Sequence, residues 1–184
     1  MSKNAGKKFE AIIRDGMPEY AMLTRLPDPP QSFTKREDTR FSKKNPYDYI
    51  CFDTIGRVLY CLELKSTEQK YLTYHTCEQD EKDGKSANIK WHQIVGLTNA
   101  SIYDNVIAGF FFNFRLDSGD QLLYFLNIKD FNKFRENTNK KSINIMDVVL
   151  NGGIKINGEK KRVNYRWNLD DFFTKQSQEF QHID

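Results

Sequence analysis

The chain has only three cysteines among its 184 residues, an odd number without metal-site spacing, so neither a disulfide scaffold nor a zinc site is expected. No apolar run approaches the length of a membrane span. The opening residues, Met1 to Lys8, are polar where a secretion signal needs an apolar stretch. The protein is therefore expected in the cytoplasm. Excess charge is also scarce: 28 Lys and Arg against 25 Asp and Glu leave +3. That balance permits nucleic-acid binding without demanding it, and local clustering says more than the total.

At 39% apolar and 29% charged, the composition is that of a globular protein, and the length suffices for one domain with a real core. The strongest core signal is residues 107–128, IAGFFFNFRLDSGDQLLYFLNI. Two dense apolar runs flank LDSGD there and read as a hairpin at the centre of a sheet, buried on both faces. A helix follows near Asp130 to Arg135.

Upstream, residues 5–15 carry Phe9, Ile12 and Ile13 on one stripe with Gly16 as a stop, which predicts a short helix with Glu10 bordering the stripe. YAMLTRL after it reads as an edge strand or a second helix. From Ile89 to about Tyr103, Trp91, Ile94, Val95, Thr98 and Ile102 recur at helical spacing, with Gln93 beside the stripe and His92 as a surface or capping residue. The stretch CEQDEKDGKSANIK reads as a polar loop whose Glu78, Asp80, Glu81 and Asp83 serve solvation. Beyond Lys140 the pattern gives a helix, a Gly-Gly turn and a strand. A closing amphipathic helix then packs Leu169, Phe172 and Phe173. Lys155, Lys160, Lys161, Arg162 and Arg166 form a second basic region there, a phosphate track or simply a solvated face.

Chemistry is concentrated in residues 46–67, PYDYICFDTIGRVLYCLELKST. Two aromatic and β-branched runs joined by a Gly-containing turn read as a hairpin. With Ile55 and Gly56 as a two-residue turn, Thr54 faces Arg57 and Asp48 sits opposite Glu63. Lys65, two residues on, shares their face. Like charges directly opposed on a hairpin are unfavourable, so a cation is expected between them. A divalent ion is the economical choice, because Mg²⁺ takes one or two carboxylates and keeps waters. Lys65 would then hold an attacking water or stabilise charge growing on a phosphate, as a metal-dependent phosphodiesterase requires. Asp53 is the rival ligand, but this register puts it roughly 17 Å along the strand and on the other face. Cys51 and Cys61 fall on opposite faces as small core residues.

Residues 27–46, PDPPQSFTKREDTRFSKKNP, contain almost no aliphatic side chains and cannot bury a core. Lys35, Arg36, Arg40, Lys43 and Lys44 are interleaved with Phe33 and Phe41, which suits an arm entering DNA, cations meeting phosphates and an aromatic stacking on an exposed base. A surface loop is the plainer alternative.

Asp48 followed by Glu63-Leu64-Lys65 resembles the PD-(D/E)xK nuclease core. NPYDYI with LELKST is similar to the RecU-type Holliday-junction resolvases of Gram-positive bacteria and their phages. GKKFE near the start, the basic Pro-flanked segment, HQ on a later helix and a second hairpin follow in the same order, so the resemblance spans roughly residues 6 to 130. It implies a restriction-endonuclease-like α/β fold, a central mixed sheet flanked by helices, as one nuclease domain over residues 1–184 with 27–46 as a projecting stalk. It further implies that Glu10 reaches a metal site formed by Asp48 and Glu63, and that Gln93 borders it. The implied cofactor is Mg²⁺, with Mn²⁺ as a substitute. The implied activity is paired nicking of four-way junction or branched DNA in recombination and repair, leaving 5′-phosphate and 3′-hydroxyl ends. Cutting two strands symmetrically needs two sites on a two-fold axis, hence a homodimer. Two alternatives stand beside it: another PD-(D/E)xK phage or restriction endonuclease, and a non-catalytic DNA-binding protein on a nuclease-like fold.

Overall fold

The structure, a computed structural model, describes residues 4–27, 44–162 and 164–181. Its elements in order are α1 (Asn4–Asp15), β1 (Ala21–Arg25), β2 (Tyr49–Asp53), β3 (Val58–Thr67), β4 (Tyr71–Thr73), α2 (Glu78–Lys82), α3 (Trp91–Ala100), β5 (Val106–Arg115), β6 (Gln121–Asn127), α4 (Ile128–Glu136), β7 (Ser142–Asn144), α5 (Ile145–Leu150), β8 (Ile154–Ile156), β9 (Gly158–Lys160), β10 (Tyr165–Trp167) and α6 (Leu169–Gln181). Among them, no helix is long and apolar enough to cross a membrane.

A mixed six-stranded sheet in the order β1-β2-β3-β5-β6-β8 organises the chain. Every neighbouring pair is antiparallel except β3 and β5. That one parallel pair requires a crossover, and the crossover carries β4, α2 and α3. The hairpin over 107–128 is β5 and β6, with β5 interior to the sheet and buried along nearly its whole length. Its phenylalanines alternate as a strand dictates: Phe110, Phe112 and Phe114 join the core under α3 and α4, while Phe111 joins the core on the other face. That second core is closed by Phe9 and Ile13 of α1 and by Leu169, Phe172 and Phe173 of α6. Cys51 and Cys61 divide between the two cores.

YAMLTRL supplies the edge strand β1, not a helix. The stretch from 66 to 90 is more structured than its polarity suggests. It holds β4, which pairs with β7 in a separate two-stranded ribbon, and α2.

The first hairpin has the expected register, with Tyr49 opposite Leu62 and Asp53 opposite Val58. Its turn differs. Thr54 to Arg57 form a four-residue loop in which Arg57, at φ 55°, takes the left-handed conformation. A tight primed turn would place a β-branched Ile55 at positive φ. Instead Asp53 Oδ1 accepts from Ile55 N at 2.9 Å and Gly56 N at 3.0 Å, a side-chain substitute for the ladder. Of the predicted arm, residues 27–46, positions 28–43 lie outside the described residues.

Candidate metal centre

β3 is the rigid member of the site. It is paired on both sides, and its alternation sends Leu62 and Leu64 into the core below α1 while Glu63 and Lys65 emerge on the α3 face. Asp48 precedes β2 by one residue and extends the hairpin one step. Its N–H donates to the Leu62 carbonyl at 3.2 Å, its carbonyl accepts from Leu26 N at 2.8 Å, and its Oδ2 accepts from Leu64 N at 3.2 Å. Asp48 is thereby pinned beside Glu63.

The third wall is α3. A Cβ on Gly96 would fall 2.6 Å from the Pro46 carbonyl oxygen and 2.7 Å from its Cα, so only glycine lets the Asp48 segment lie this close to the helix. One turn earlier, Gln93 reaches down to the sheet. Its Nε2 donates to Glu63 Oε1 at 2.5 Å, and its Oε1 accepts from Lys90 N at 2.9 Å, closing the first turn of the helix.

Glu63 is 1% exposed. Its Oε1 takes both the Gln93 amide and Lys65 Nζ, the latter at 2.8 Å. Its Oε2 is buried and has no donor among the described residues. Burial pushes the Glu63 carboxyl up to about 8; the Lys65 charge pulls against that shift and the Asp48 carboxylate adds to it. An ionised carboxylate out of water is penalised by several kcal/mol, at order of magnitude, unless its oxygens find cationic or donor partners. One orphaned oxygen beside a second carboxylate fits a divalent cation, which would satisfy the first and neutralise both. Two carboxylates are also the number that Mg²⁺ accepts while keeping its waters.

The expected third acid does not join them. α1 docks through Phe9 and Ile13 on the opposite face of the sheet. Glu10, beside that stripe, accepts from Tyr49 Oη at 2.9 Å and pairs with Arg25 Nε at 3.3 Å. Burial first, and then Glu10, push the Tyr49 hydroxyl up to about 12. No group of three His, Cys, Asp or Glu able to hold a metal occurs among the described residues. Among the described residues, two carboxylates, those of Asp48 and Glu63, stand together here.

Asp53, the rival, is fully buried on the α1 and α6 side, where Ser177 Oγ donates to its Oδ2 at 2.6 Å. It ties the hairpin loop to α6. Of the predicted DNA contacts, Lys35, Arg36, Arg40 and Lys43 lie outside the described residues, and Lys44 Nζ is bonded to Glu81 Oε1 at 2.6 Å.

Among curated proteins, the chain is 31% identical over 182 residues to the SPbeta prophage-derived uncharacterized protein YotM of Bacillus subtilis (strain 168), an alignment covering 92% of this chain and 85% of that one. The chain belongs to the YotM family. No family model matches it. Among solved structures, it is similar to Hjc, a Holliday junction resolvase of Archaeoglobus fulgidus, at 12% identity and a TM-score of 0.47, over 81% of this chain and 93% of that chain.

In this YotM-family protein two residues near the centre do more than the sequence suggests: Glu81, expected to serve solvation, and His92, expected as a surface or capping residue, are bound to each other. Glu81 receives His92 N at 2.9 Å, and His92 Nδ1 lies 2.6 Å from its other oxygen. Burial lowers the His92 pKa, Glu81 opposes that shift, and the Lys44 and Lys65 charges add to it. The only signal in the sequence is an acid in a polar loop ten residues before a helix, a spacing that carries no periodic information.

Proposed function

We propose that this YotM-family protein is a metal-dependent endonuclease of the PD-(D/E)xK kind, acting as a RecU-type resolvase on four-way junction or branched DNA. The single observation that carries the reading is the buried, donorless Oε2 of Glu63 beside Asp48, with Lys65 on the same face.

In this reading residues 1–184 form one nuclease domain, with 27–46 as its arm. Asp48 and Glu63 hold Mg²⁺, for which Mn²⁺ substitutes. When bound, the ion supplies Lewis acidity at the scissile phosphate and acidifies water. Lys65 holds the attacking water and balances charge growing on the phosphate. Gln93 fixes the rotamer of Glu63, so that Oε2 keeps its aim. Glu10 takes part only if it leaves Tyr49 and Arg25, so its place is secondary. Paired nicking calls for two sites on a two-fold axis and hence a homodimer. The products are 5′-phosphate and 3′-hydroxyl ends.

A nicking assay with Mg²⁺ on a four-way junction and on linear duplex of the same sequence tests the reading, with wild type against Asp48→Ala. Symmetric nicks lost in Asp48→Ala support it. Equal binding and cutting of linear duplex would make the protein another endonuclease of this superfamily. No cutting across metals and branched substrates would leave a DNA-binding protein on a nuclease-like fold.

A further inference from the structure

α2 has no apolar reason to lie where it does. None of its five residues is buried, and so short a helix has no stability of its own. Two carboxylates fasten it. Asp80 ties it to its own loop, accepting from Thr76 N at 2.8 Å, Thr76 Oγ1 at 2.6 Å and Lys85 Nζ at 2.7 Å. Glu81 reaches out of the loop to two other segments. It takes Lys44 Nζ at 2.6 Å and the backbone N–H and imidazole of His92 at 2.9 and 2.6 Å.

Those partners stand on the two flanks of the acid pair. Lys44 leads into Pro46, which is wedged on Gly96, and then into Asp48. His92 leads into Gln93, whose amide holds Glu63. We propose that Glu81 is a positioning residue for the metal centre, one carboxylate that sets the separation between the segment delivering Asp48 and the helix end delivering Gln93. The proposal rests on the metal-centre reading above.

Exposed ion pairs contribute little, but this carboxylate is largely enclosed and takes three charge-assisted or helix-terminal donors from two segments. It also satisfies an N–H in the first turn of α3, which has no partner within the helix. Burial works against its charge, yet the Lys44 and His92 donors hold the carboxyl down to about 2. A bracket of this kind removes freedom from groups that must converge on one ion, as outer partners of metal ligands do.

The test compares Glu81→Ala and Glu81→Gln with Asp80→Ala, which loosens the same loop without touching Lys44 or His92. Two quantities are read: the Gln93 side-chain amide in ¹H–¹⁵N NMR spectra of the metal-free protein, and the affinity for Mn²⁺ alone. Glu81→Ala is expected to move the Gln93 amide toward the position of a solvent-exposed glutamine and to weaken Mn²⁺ about tenfold. Glu81→Gln should recover part of both, and Asp80→Ala neither change. An unmoved Gln93 amide in a folded Glu81→Ala protein overturns the proposal, as does an equal shift in Asp80→Ala. Wild-type protein that takes no Mn²⁺ would refute the metal reading, while the Gln93 resonance still decides whether the bracket exists.

Discussion

Glu63 divides its two oxygens unequally: Oε1 is held by both Gln93 and Lys65, whereas Oε2 has no donor among the described residues. The two halves of the carboxylate are therefore separable by mutation. Lys65→Met should lower nicking by about 10²-fold or more, the scale for a group that handles a proton or developing charge, while Mn²⁺ affinity holds within a few-fold. Glu63→Gln should abolish both. Calorimetric Mn²⁺ titration beside a nicking time course distinguishes the two variants, and equal loss of metal in both would remove Lys65 from its role.

Stability of the metal-free protein should fall as pH rises. The Glu63 carboxyl is raised from an unfolded value near 4.5 to about 8 by burial, with Asp48 adding and Lys65 opposing. The fold therefore favours its protonated form. This stabilisation is complete below about pH 4.5 and is lost as pH climbs through 8, by roughly 3–5 kcal/mol at most. Urea midpoints with a chelator at pH 6 and pH 9 should differ in that direction. Glu63→Gln should flatten the difference, and Mg²⁺ should restore the wild-type midpoint at pH 9.

Gly96→Ala separates helix propensity from packing. Alanine in a helix interior ordinarily gains up to about 1 kcal/mol over glycine. Here the new methyl meets Pro46, and overpacking costs about 1–3 kcal/mol. The variant should melt lower than wild type and bind Mn²⁺ more weakly, because the segment that moves carries Asp48. A higher melting temperature would mean that the Pro46 contact yields without effect on the site.

Asp53→Asn tests the rival acid. Asp53 accepts from Ile55 N, Gly56 N and Ser177 Oγ. Removing its charge should destabilise the fold by about 1–3 kcal/mol and leave Mn²⁺ affinity at the wild-type value. Loss of metal binding in a folded Asp53→Asn protein would transfer the ligand role to it.

The arm is open to a salt titration. Arg36→Gln with Arg40→Gln should weaken junction binding and reduce the slope of log K against log salt by about 2, since each neutralised phosphate contributes about 0.9. Fluorescence anisotropy over a range of KCl measures it, and an unchanged slope would return the segment to a plain loop.

The legible parts of this chain are those written in alternation or helical period. Asp48, Glu63 and Lys65 share a face because strand parity allows nothing else once Asp53 is opposite Val58. Phe110 and Phe111 enter different cores for the same reason. Gln93 falls beside the α3 stripe by helical period alone. Glu10 was less legible, because a stripe fixes which side of a helix is buried but not which face of the sheet that helix covers. Nor did composition show that Glu81 is a junction between segments. A carboxylate in a polar loop looks the same whether its partners are waters or the ends of two other elements. The β4–β7 ribbon was also hidden, since three-residue strands are too short to show a period.

β3 has a neighbour strand on either side, so Glu63 and Lys65 ride on the part of the backbone with the least room to shift. Their partners come from other elements: Asp48 from the lead-in to β2, Gln93 from the first turn of the crossover helix α3. A scaffold built this way can change its rim while the Glu63 and Lys65 pair stays fixed. The pair's surroundings can equally be altered from the rim, with both side chains intact.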